Sequence, residues 1–169
     1  MKIYFYIASS MNGCIDAADG NSDWVSEADN QSFLSTCRRV GAVIMGRKTY
    51  EVLSPNDLPL ETGNHIVLTS QNLTSNNPTV TFTNEGPIGA INILKNKGCK
   101  EVVVIGGNQT WTSFMKDGLV DEIFLDIEPL ALGNGKALFQ GADFNIQLEL
   151  LATKPLSPQT LHLHYKIKK

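Results

Sequence analysis

Apolar runs of strand length place the tightest limit on how this chain can fold. They occur at residues 3–8, 42–45, 66–68 and 102–105, and stretches with helical spacing lie between several of them. An uninterrupted run such as Val102-Val103-Val104-Ile105 suits a strand that is covered on both faces. The alternation therefore predicts an α/β fold with a mostly parallel central sheet flanked by helices.

The last third of the chain has a different hydrophobic pattern. Apolar and more polar residues alternate at residues 123–127, 144–150 and 161–167, which is typical of half-exposed strands. A short segment with two prolines joins the last two stretches, so we expect an antiparallel C-terminal strand pair that closes one side of the sheet. Residues 53–63 and 130–143, which are rich in glycine, asparagine and proline, are predicted to be surface loops.

Length and charge limit the number of domains and the classes of partner. A chain of 169 residues with 42% hydrophobic content is long enough for one core, so we predict a single domain over residues 1–169. The net charge is -3 and the 14 basic residues are scattered, so no nucleic acid partner is expected. No stretch approaches the roughly 20 apolar residues of a spanning helix, so we expect a cytoplasmic protein without a membrane partner. We also consider a homodimer that forms through the late strands.

Cysteine and histidine spacing predicts no metal site. Cys14, Cys37 and Cys99 are far apart and match neither a disulfide framework nor a zinc motif. His162 and His164 alternate on the predicted last strand and therefore face one side together. Two histidines without a third ligand are more typical of a strand surface than of a metal centre.

Glycine and hydroxyl residues follow three of the predicted parallel strands. Gly46 ends one run, Gly106 and Gly107 end another, and Thr69 and Ser70 end a third. Each turn by itself has a simpler interpretation as a tight turn. Together they would lie at the carboxyl edge of the sheet, where open α/β folds bind ligands. We therefore predict a site for the phosphates of a dinucleotide, although no G-x-G-x-x-G motif is present.

Two basic residues follow the first of these turns. Arg47 and Lys48 supply positive charge, and an arginine can grip a phosphate with two hydrogen bonds. This favours a cofactor with a 2′-phosphate, so NADPH is predicted rather than NADH. The alternative for Arg47 is a solvated surface charge.

A carboxylate occupies the apolar side of a predicted helix. Phe33 and Cys37 are spaced as an apolar helix face, and Asp29 lies one turn before Phe33 on the same side. Ser26 and Asp29 also fit the pattern of a capping box, in which Asp29 would only stabilise the start of the helix. In the functional alternative, shelter by Phe33 and Trp24 favours the neutral carboxyl, which could then protonate a C=N bond or hold an amidine-like edge.

Several stretches resemble known families in order along the chain. Residues 7–13, 43–50, 66–71 and 105–107 resemble the motifs of the dihydrofolate reductase superfamily. Residues 118–139, which begin Gly118-Leu119-Val120-Asp121-Glu122-Ile123, resemble the C-terminal reductase domain of bacterial riboflavin biosynthesis proteins. The resemblance implies a dihydrofolate-reductase-like domain that binds NADPH.

The resemblance also implies which residues contact the cofactor. The phosphate turn matches Gly46, Arg47 and Thr49; the segment around the adenosine and its 2′-phosphate matches Leu68, Thr69 and Ser70; the diphosphate turn matches Ile105, Gly106 and Gly107. The positions beside the nicotinamide and near the cofactor ring match Ala8, Ile15 and Trp111.

On the substrate side, Asp29 matches the substrate-binding acid of dihydrofolate reductases, and Trp24, Phe33 and Ser9 would line the substrate. Three positions differ from the family patterns. Gly63 stands where dihydrofolate reductases carry an arginine for the folate carboxylate, and Asp126 stands where they usually carry a threonine. Tyr6 stands where the riboflavin enzymes carry a lysine.

The leading hypothesis is an NADPH-dependent reductase that passes hydride to a pterin-like substrate such as dihydrofolate, with Asp29 as the acid. One alternative is a reductase of a pyrimidine intermediate of riboflavin biosynthesis. Another is a nucleotide-binding module without catalysis, and a structural protein without a cofactor is a third.

Overall fold

The computed structural model describes residues 1–53, 58–60 and 63–169. Within these residues, eight strands form one sheet in the order β5-β4-β3-β6-β1-β7-β10-β9, and β2 pairs with β8. The strands are β1 Lys2–Ser10, β2 Cys14–Asp16, β3 Ala42–Gly46, β4 Asn64–Leu68, β5 Val80–Thr83, β6 Glu101–Val104, β7 Glu122–Glu128, β8 Lys136–Ala137, β9 Leu148–Pro155 and β10 Leu161–Ile167. The helices are α1 Glu27–Val40, α2 Arg47–Val52, α3 Gly86–Asn96 and α4 Asn108–Lys116.

The predicted fold class is confirmed. Strands β5, β4, β3, β6, β1 and β7 run parallel to their neighbours, whereas β10 is antiparallel to both β7 and β9. The antiparallel arrangement is possible because a short turn joins β9 to β10, whereas parallel neighbours need a longer crossover. The single-domain bounds of residues 1–169 stay a prediction.

The central strands are buried on both faces, as their continuous apolar runs indicate. Phe5 and Ile44 pack on one side of the sheet, and Tyr6 and Met45 pack on the other. Because successive side chains of a strand point to opposite faces, neighbouring residues of β1 and β3 belong to two separate core layers. The carboxyl ends of these strands are consequently held rigidly at one edge.

Local signals fix both ends of α1. The Ser26 hydroxyl accepts a hydrogen bond of 3.3 Å from the backbone N–H of Asp29, which caps the N-terminus. The helix ends at Gly41, whose φ of 75° lies in the left-handed region and whose N–H returns to the Cys37 carbonyl. These two signals place α1 at Glu27–Val40, so Asp29 lies in its first turn.

Two of the predicted element boundaries differ from the structure. The stretch predicted as a strand at 144–150 becomes a strand only at Leu148, because Phe144 and Ile146 pack against the core as an irregular segment. The loop predicted at 130–143 contains β8, whose pairing with β2 follows from tertiary contact and not from its own sequence. For the loop predicted at 53–63, residues 54–57 and 61–62 lie outside the described residues.

The edge strand β9 is exposed along its whole length. It presents Leu148, Leu150 and Leu151 to solvent, each between 38% and 52% exposed. The homodimer through the late strands stays a prediction. In the described part of the chain no helix has the length and apolarity that crossing a membrane requires.

Candidate active site

A large cavity opens at the carboxyl ends of the parallel strands. Its volume is about 980 Å³, and residues from β1, α1, β4, α2 and α4 line it. Of the residues that the sequence predicted for the site, those lining the cavity are Ala8, Ile15, Asp29, Phe33, Gly46, Arg47, Thr49, Leu68, Thr69, Ser70, Ile105, Gly106, Gly107 and Trp111. The parallel topology brings most of them together because they end or follow strands that point to this edge, whereas Ile15 lies on β2 and Asp29 and Phe33 lie on α1.

Two predicted substrate residues lie outside this cavity. Ser9 is 3% exposed and does not line the cavity, because its side chain points to the face of β1 opposite to Ala8. Trp24 lines a separate cavity of about 420 Å³ together with Glu128, and its indole N–H donates to the Asn21 carbonyl at 3.2 Å. Phe33 lines the same cavity as Asp29, whereas Trp24 does not.

Glycines bring two strand ends into backbone contact at the base of the cavity. The Gly46 N–H donates to the Gly106 carbonyl at 2.7 Å, and a Cβ at Gly46 would lie 2.7 Å from the hydroxyl oxygen of Thr110. At Gly106, φ is 125° and a Cβ would lie 3.3 Å from the Trp111 ring. Only residues without a side chain fit here, so the backbone is left open to a ligand.

Helix α4 begins directly after these glycines. Its N-cap is Gly107, which supplies no side-chain hydrogen bond, although the Asn108 side chain accepts from the Gln109 N–H at 2.8 Å. The Trp111 indole N–H donates to the Val104 carbonyl at 3.0 Å, which fixes the ring beside Gly106. The N-terminus of a helix in this position attracts the phosphate of a nucleotide.

The basic side chains of the cavity are partly engaged with carboxylates. Arg47 contacts Glu51 one helical turn away at 2.5 Å, and Lys136 contacts Asp16 at 2.7 Å. Both pairs are partly exposed, so solvent weakens them and an incoming phosphate could compete for either cation. Arg47 is therefore not simply a solvated surface charge. It lines the cavity, and its partner is Glu51 of the same helix.

Asp29 is not the reciprocal member of a capping box. The backbone N–H of Ser26, which a capping box would pair with Asp29, donates instead to Glu128 Oε1 at 3.1 Å. The Asp29 side chain is 2% exposed, and its Oδ2 atom has no hydrogen-bond partner among the described residues. The carboxyl group therefore lines the cavity as an unsatisfied polar group, which argues for a functional role.

A buried polar cluster surrounds this carboxyl group. Asp126 on β7 is fully buried; its Oδ2 accepts from the Tyr6 hydroxyl at 2.5 Å, and its Oδ1 pairs with His162 Nδ1 at 2.5 Å. Glu128, two residues along the same strand, is 2% exposed. The Tyr6 ring packs edge-on against Phe33, with ring centroids 5.4 Å apart.

Burial first, and then the charges of Asp126 and Glu128, together raise the pKa of the Asp29 carboxyl to about 8. The pKa of the Tyr6 hydroxyl is also raised, first by burial and then by Asp126. Asp29 can therefore hold a proton at neutral pH inside the cavity. The sequence predicted such an acid as the alternative to a capping box, with Phe33 and Trp24 as its shelter.

Sequence reasoning did not join Asp126 to His162. It placed His162 and His164 on one side of the last strand, and both rings do pack on Phe124. The signal that was missed is the register of β7 and β10, which puts His162 opposite Asp126. Among the described residues no cluster of three or more potential ligands could hold a metal ion.

Comparisons with known proteins bear out the resemblance. A profile of the family described as RibD C-terminal domain matches residues 1–162. The protein named "Uncharacterized protein YwjB" from Bacillus subtilis strain 168 is 32% identical over 170 residues, which cover 97% of each chain. The predicted likeness to the reductase domain of riboflavin biosynthesis proteins is confirmed.

Solved structures share the fold at low sequence identity. A putative riboflavin biosynthesis protein from Shewanella sp. PV-4 has a TM-score of 0.85 at 24% identity and covers 100% of both chains. A Thermotoga maritima protein, described as a diaminohydroxyphosphoribosylaminopyrimidine deaminase and 5-amino-6-(5-phosphoribosylamino)uracil reductase, has a TM-score of 0.79 at 16% identity. The match covers 99% of this chain and 56% of that protein.

Proposed function

The chain belongs to the family of the RibD C-terminal domain, and we propose that it is an NADPH-dependent reductase that acts on a pyrimidine-like substrate. The observation that carries the proposal is the buried, unsatisfied Asp29 carboxyl in the same cavity as the glycine turns at Gly46 and Gly106. Of the two substrates expected from the sequence, the family favours the pyrimidine alternative over dihydrofolate.

The cavity fits a dinucleotide cofactor. Gly46 and Gly106 leave the backbone bare where any Cβ would collide, and the start of α4 offers amides for the diphosphate. Arg47 lines the same cavity beside Gly46, and its guanidinium could hold the 2′-phosphate in exchange for Glu51. When bound, NADPH supplies hydride for the reduction.

Asp29 supplies the matching proton. Reduction of a C=N bond adds hydride to carbon and a proton to nitrogen, so a proton donor must lie beside the nitrogen. With a pKa of about 8, the Asp29 carboxyl is mostly protonated at neutral pH. Its O–H bond breaks as the N–H bond forms, and the resulting carboxylate regains a proton from solvent.

Substrate shape is set by what surrounds the acid. Phe33 provides an aromatic wall, and Tyr6 occupies the strand position at which riboflavin enzymes carry a lysine. The segment 53–63 contains no lysine or arginine. A flat pyrimidine-like ring is therefore expected to bind through contacts with its ring edge and faces more than through a phosphate.

The test is an NADPH-oxidation assay with three compounds: 5-amino-6-(5-phosphoribosylamino)uracil, its dephosphorylated form, and dihydrofolate. Turnover of either pyrimidine above dihydrofolate supports the proposal, and the ratio of the two pyrimidines measures the value of the phosphate. NADPH binding, followed by quenching of Trp111 fluorescence, without turnover of any of the three would favour a nucleotide-binding module. Absence of NADPH binding would refute the proposal.

A further inference from the structure

Three buried carboxyl groups meet where α1 approaches β7. Asp29, Asp126 and Glu128 are each 2% exposed or less. Ionising all three without compensation would be costly, because burial disfavours the charged form and like charges repel. The neighbouring hydrogen-bond donors therefore decide which of the three carries a proton.

Glu128 and Asp126 are both supplied with donors. Glu128 accepts from the backbone N–H and hydroxyl of Ser26 at 3.1 and 2.7 Å, and from the Thr160 hydroxyl at 3.0 Å. Asp126 has the Tyr6 hydroxyl on one oxygen and His162 on the other. Both carboxyl groups therefore have neighbouring side chains bound to their oxygens.

Asp29 has less of this support. The Tyr6 hydroxyl favours its charged form, but no donor in the part of the chain that the structure describes reaches its Oδ2 atom, and Asp126 lies within hydrogen-bonding reach of its carboxyl group. A protonated Asp29 can donate to an oxygen of Asp126, whereas an ionised Asp29 would set two acceptors against each other across the same contact. The proton shared by this pair therefore belongs on Asp29, the member that lines the cavity.

We propose that Asp126, fixed by Tyr6 and His162, is a positioning residue that keeps the proton of the site on Asp29. This rests on the proposed function, since Asp29 is the acid of that reaction. Asp126 is not among the residues that line the cavity. It acts through Asp29, by its charge and by the fixed direction of its carboxyl group, whose two oxygens are held from β1 and β10.

The titratable groups of this buried cluster come from four elements of the fold. Asp29 lies on α1, Tyr6 on β1, Asp126 and Glu128 on β7, and His162 on β10. Glu122 and His164 form a separate pair, in which the His164 ring packs against Phe124. That second pair of carboxylate and histidine offers a matched control on the same two strands.

The primary test is a pH titration of the Asp29 side chain by 13C NMR of γ-carboxyl-labelled aspartate, with the signal assigned by its loss in Asp29→Asn. In the wild-type protein we expect a midpoint of about 8. Asp126→Asn should lower this midpoint by about one pH unit or more, which is about a tenfold change in the acid dissociation constant. Glu122→Gln, the control, should leave it unchanged.

A second readout follows the reaction itself. With 5-amino-6-(5-phosphoribosylamino)uracil or its dephosphorylated form, the alkaline limb of kcat/KM should move to lower pH in Asp126→Asn and stay in place in Glu122→Gln. Asp126→Ser, which is smaller and replaces the carboxyl group by a hydroxyl, should shift the limb in the same direction if Asp126→Asn folds poorly. An unchanged Asp29 midpoint in a folded Asp126 variant would overturn the proposal.

The two proposals fail separately. If the wild-type protein oxidises no NADPH with any of the three compounds, the reductase activity is refuted, while the NMR titration still decides whether Asp126 controls the proton on Asp29. If turnover is present and the Asp29 titration midpoint is the same in the wild type and in the Asp126 variants, the proposed reductase activity is supported and the positioning role of Asp126 is refuted.

Discussion

Replacing Asp29 by asparagine is expected to make the folded protein more stable at neutral pH while it impairs catalysis. In the folded state the pKa of this carboxyl is raised from its ordinary value of 3.8 to about 8. The folded protein therefore binds a proton that the unfolded chain has lost. Stability from this group is complete below about pH 4 and declines as the pH rises towards 8.

The size of the effect follows from proton linkage. Between these two pKa values the folded state holds one more proton than the unfolded state, so the free energy of unfolding falls by about 1.4 kcal/mol per pH unit. Over the two units from about pH 5 to about pH 7, wild type should lose about 3 kcal/mol relative to Asp29→Asn. The asparagine side chain does not ionise, so it adds no such pH dependence to the stability of the variant.

Urea denaturation at these two pH values measures the difference. The control is Asp143→Asn, which removes an exposed carboxyl group and should follow the wild-type pH dependence. In the NADPH-oxidation assay, Asp29→Asn should bind NADPH normally and lose turnover, most severely at high pH where an external proton is scarce. If Asp29→Asn and wild type keep the same difference in unfolding free energy at both pH values, the raised pKa is refuted; unchanged turnover would refute the catalytic role.

Three further predictions concern other parts of the molecule. Gly46→Ala should weaken NADPH binding about tenfold or more, because its Cβ would lie 2.7 Å from the Thr110 hydroxyl oxygen, whereas Gly133→Ala, with nothing within 4 Å, should bind normally in the same fluorescence titration. Arg47→Ala should raise KM for NADPH about tenfold and leave KM for NADH nearly unchanged, and equal effects on the two cofactors would contradict a role in holding the 2′-phosphate. Burial lowers the pKa of His65 below 6.5, so the free energy of unfolding should fall as the pH drops through that value. In urea denaturation, His65→Gln should flatten this pH dependence. An equally steep fall in the variant would contradict the prediction.

The site could be predicted where its chemistry is local in the chain. The turns at Gly46 and Gly106 follow buried strands directly, and parallel topology then requires them to share an edge. Asp29 could be placed beside Phe33 because helical spacing alone puts both residues on one face. Its burial followed from the same spacing.

The surroundings of Asp29 could not be predicted in this way. Trp24 is five residues from Asp29 in sequence, yet the chain turns before α1 and leaves its indole in another cavity. The capping-box pattern was present, but Glu128, remote in sequence, took the Ser26 N–H. Side-chain hydrogen bonds go to the partner that the fold brings nearest, and this cannot be read from spacing within one helix.

The sequence by itself determined the layers of the fold and the glycine turns at the sheet edge, because hydrophobic period and glycine placement act over a few neighbouring residues. Only the tertiary structure decided which acid holds the proton. Asp126 and His162 lie on different strands, 36 residues apart in the chain, and they meet through the register of β7 against β10. The free energy of a buried charge depends on its nearest neighbours in space, so the protonation of Asp29 is a property of the assembled fold.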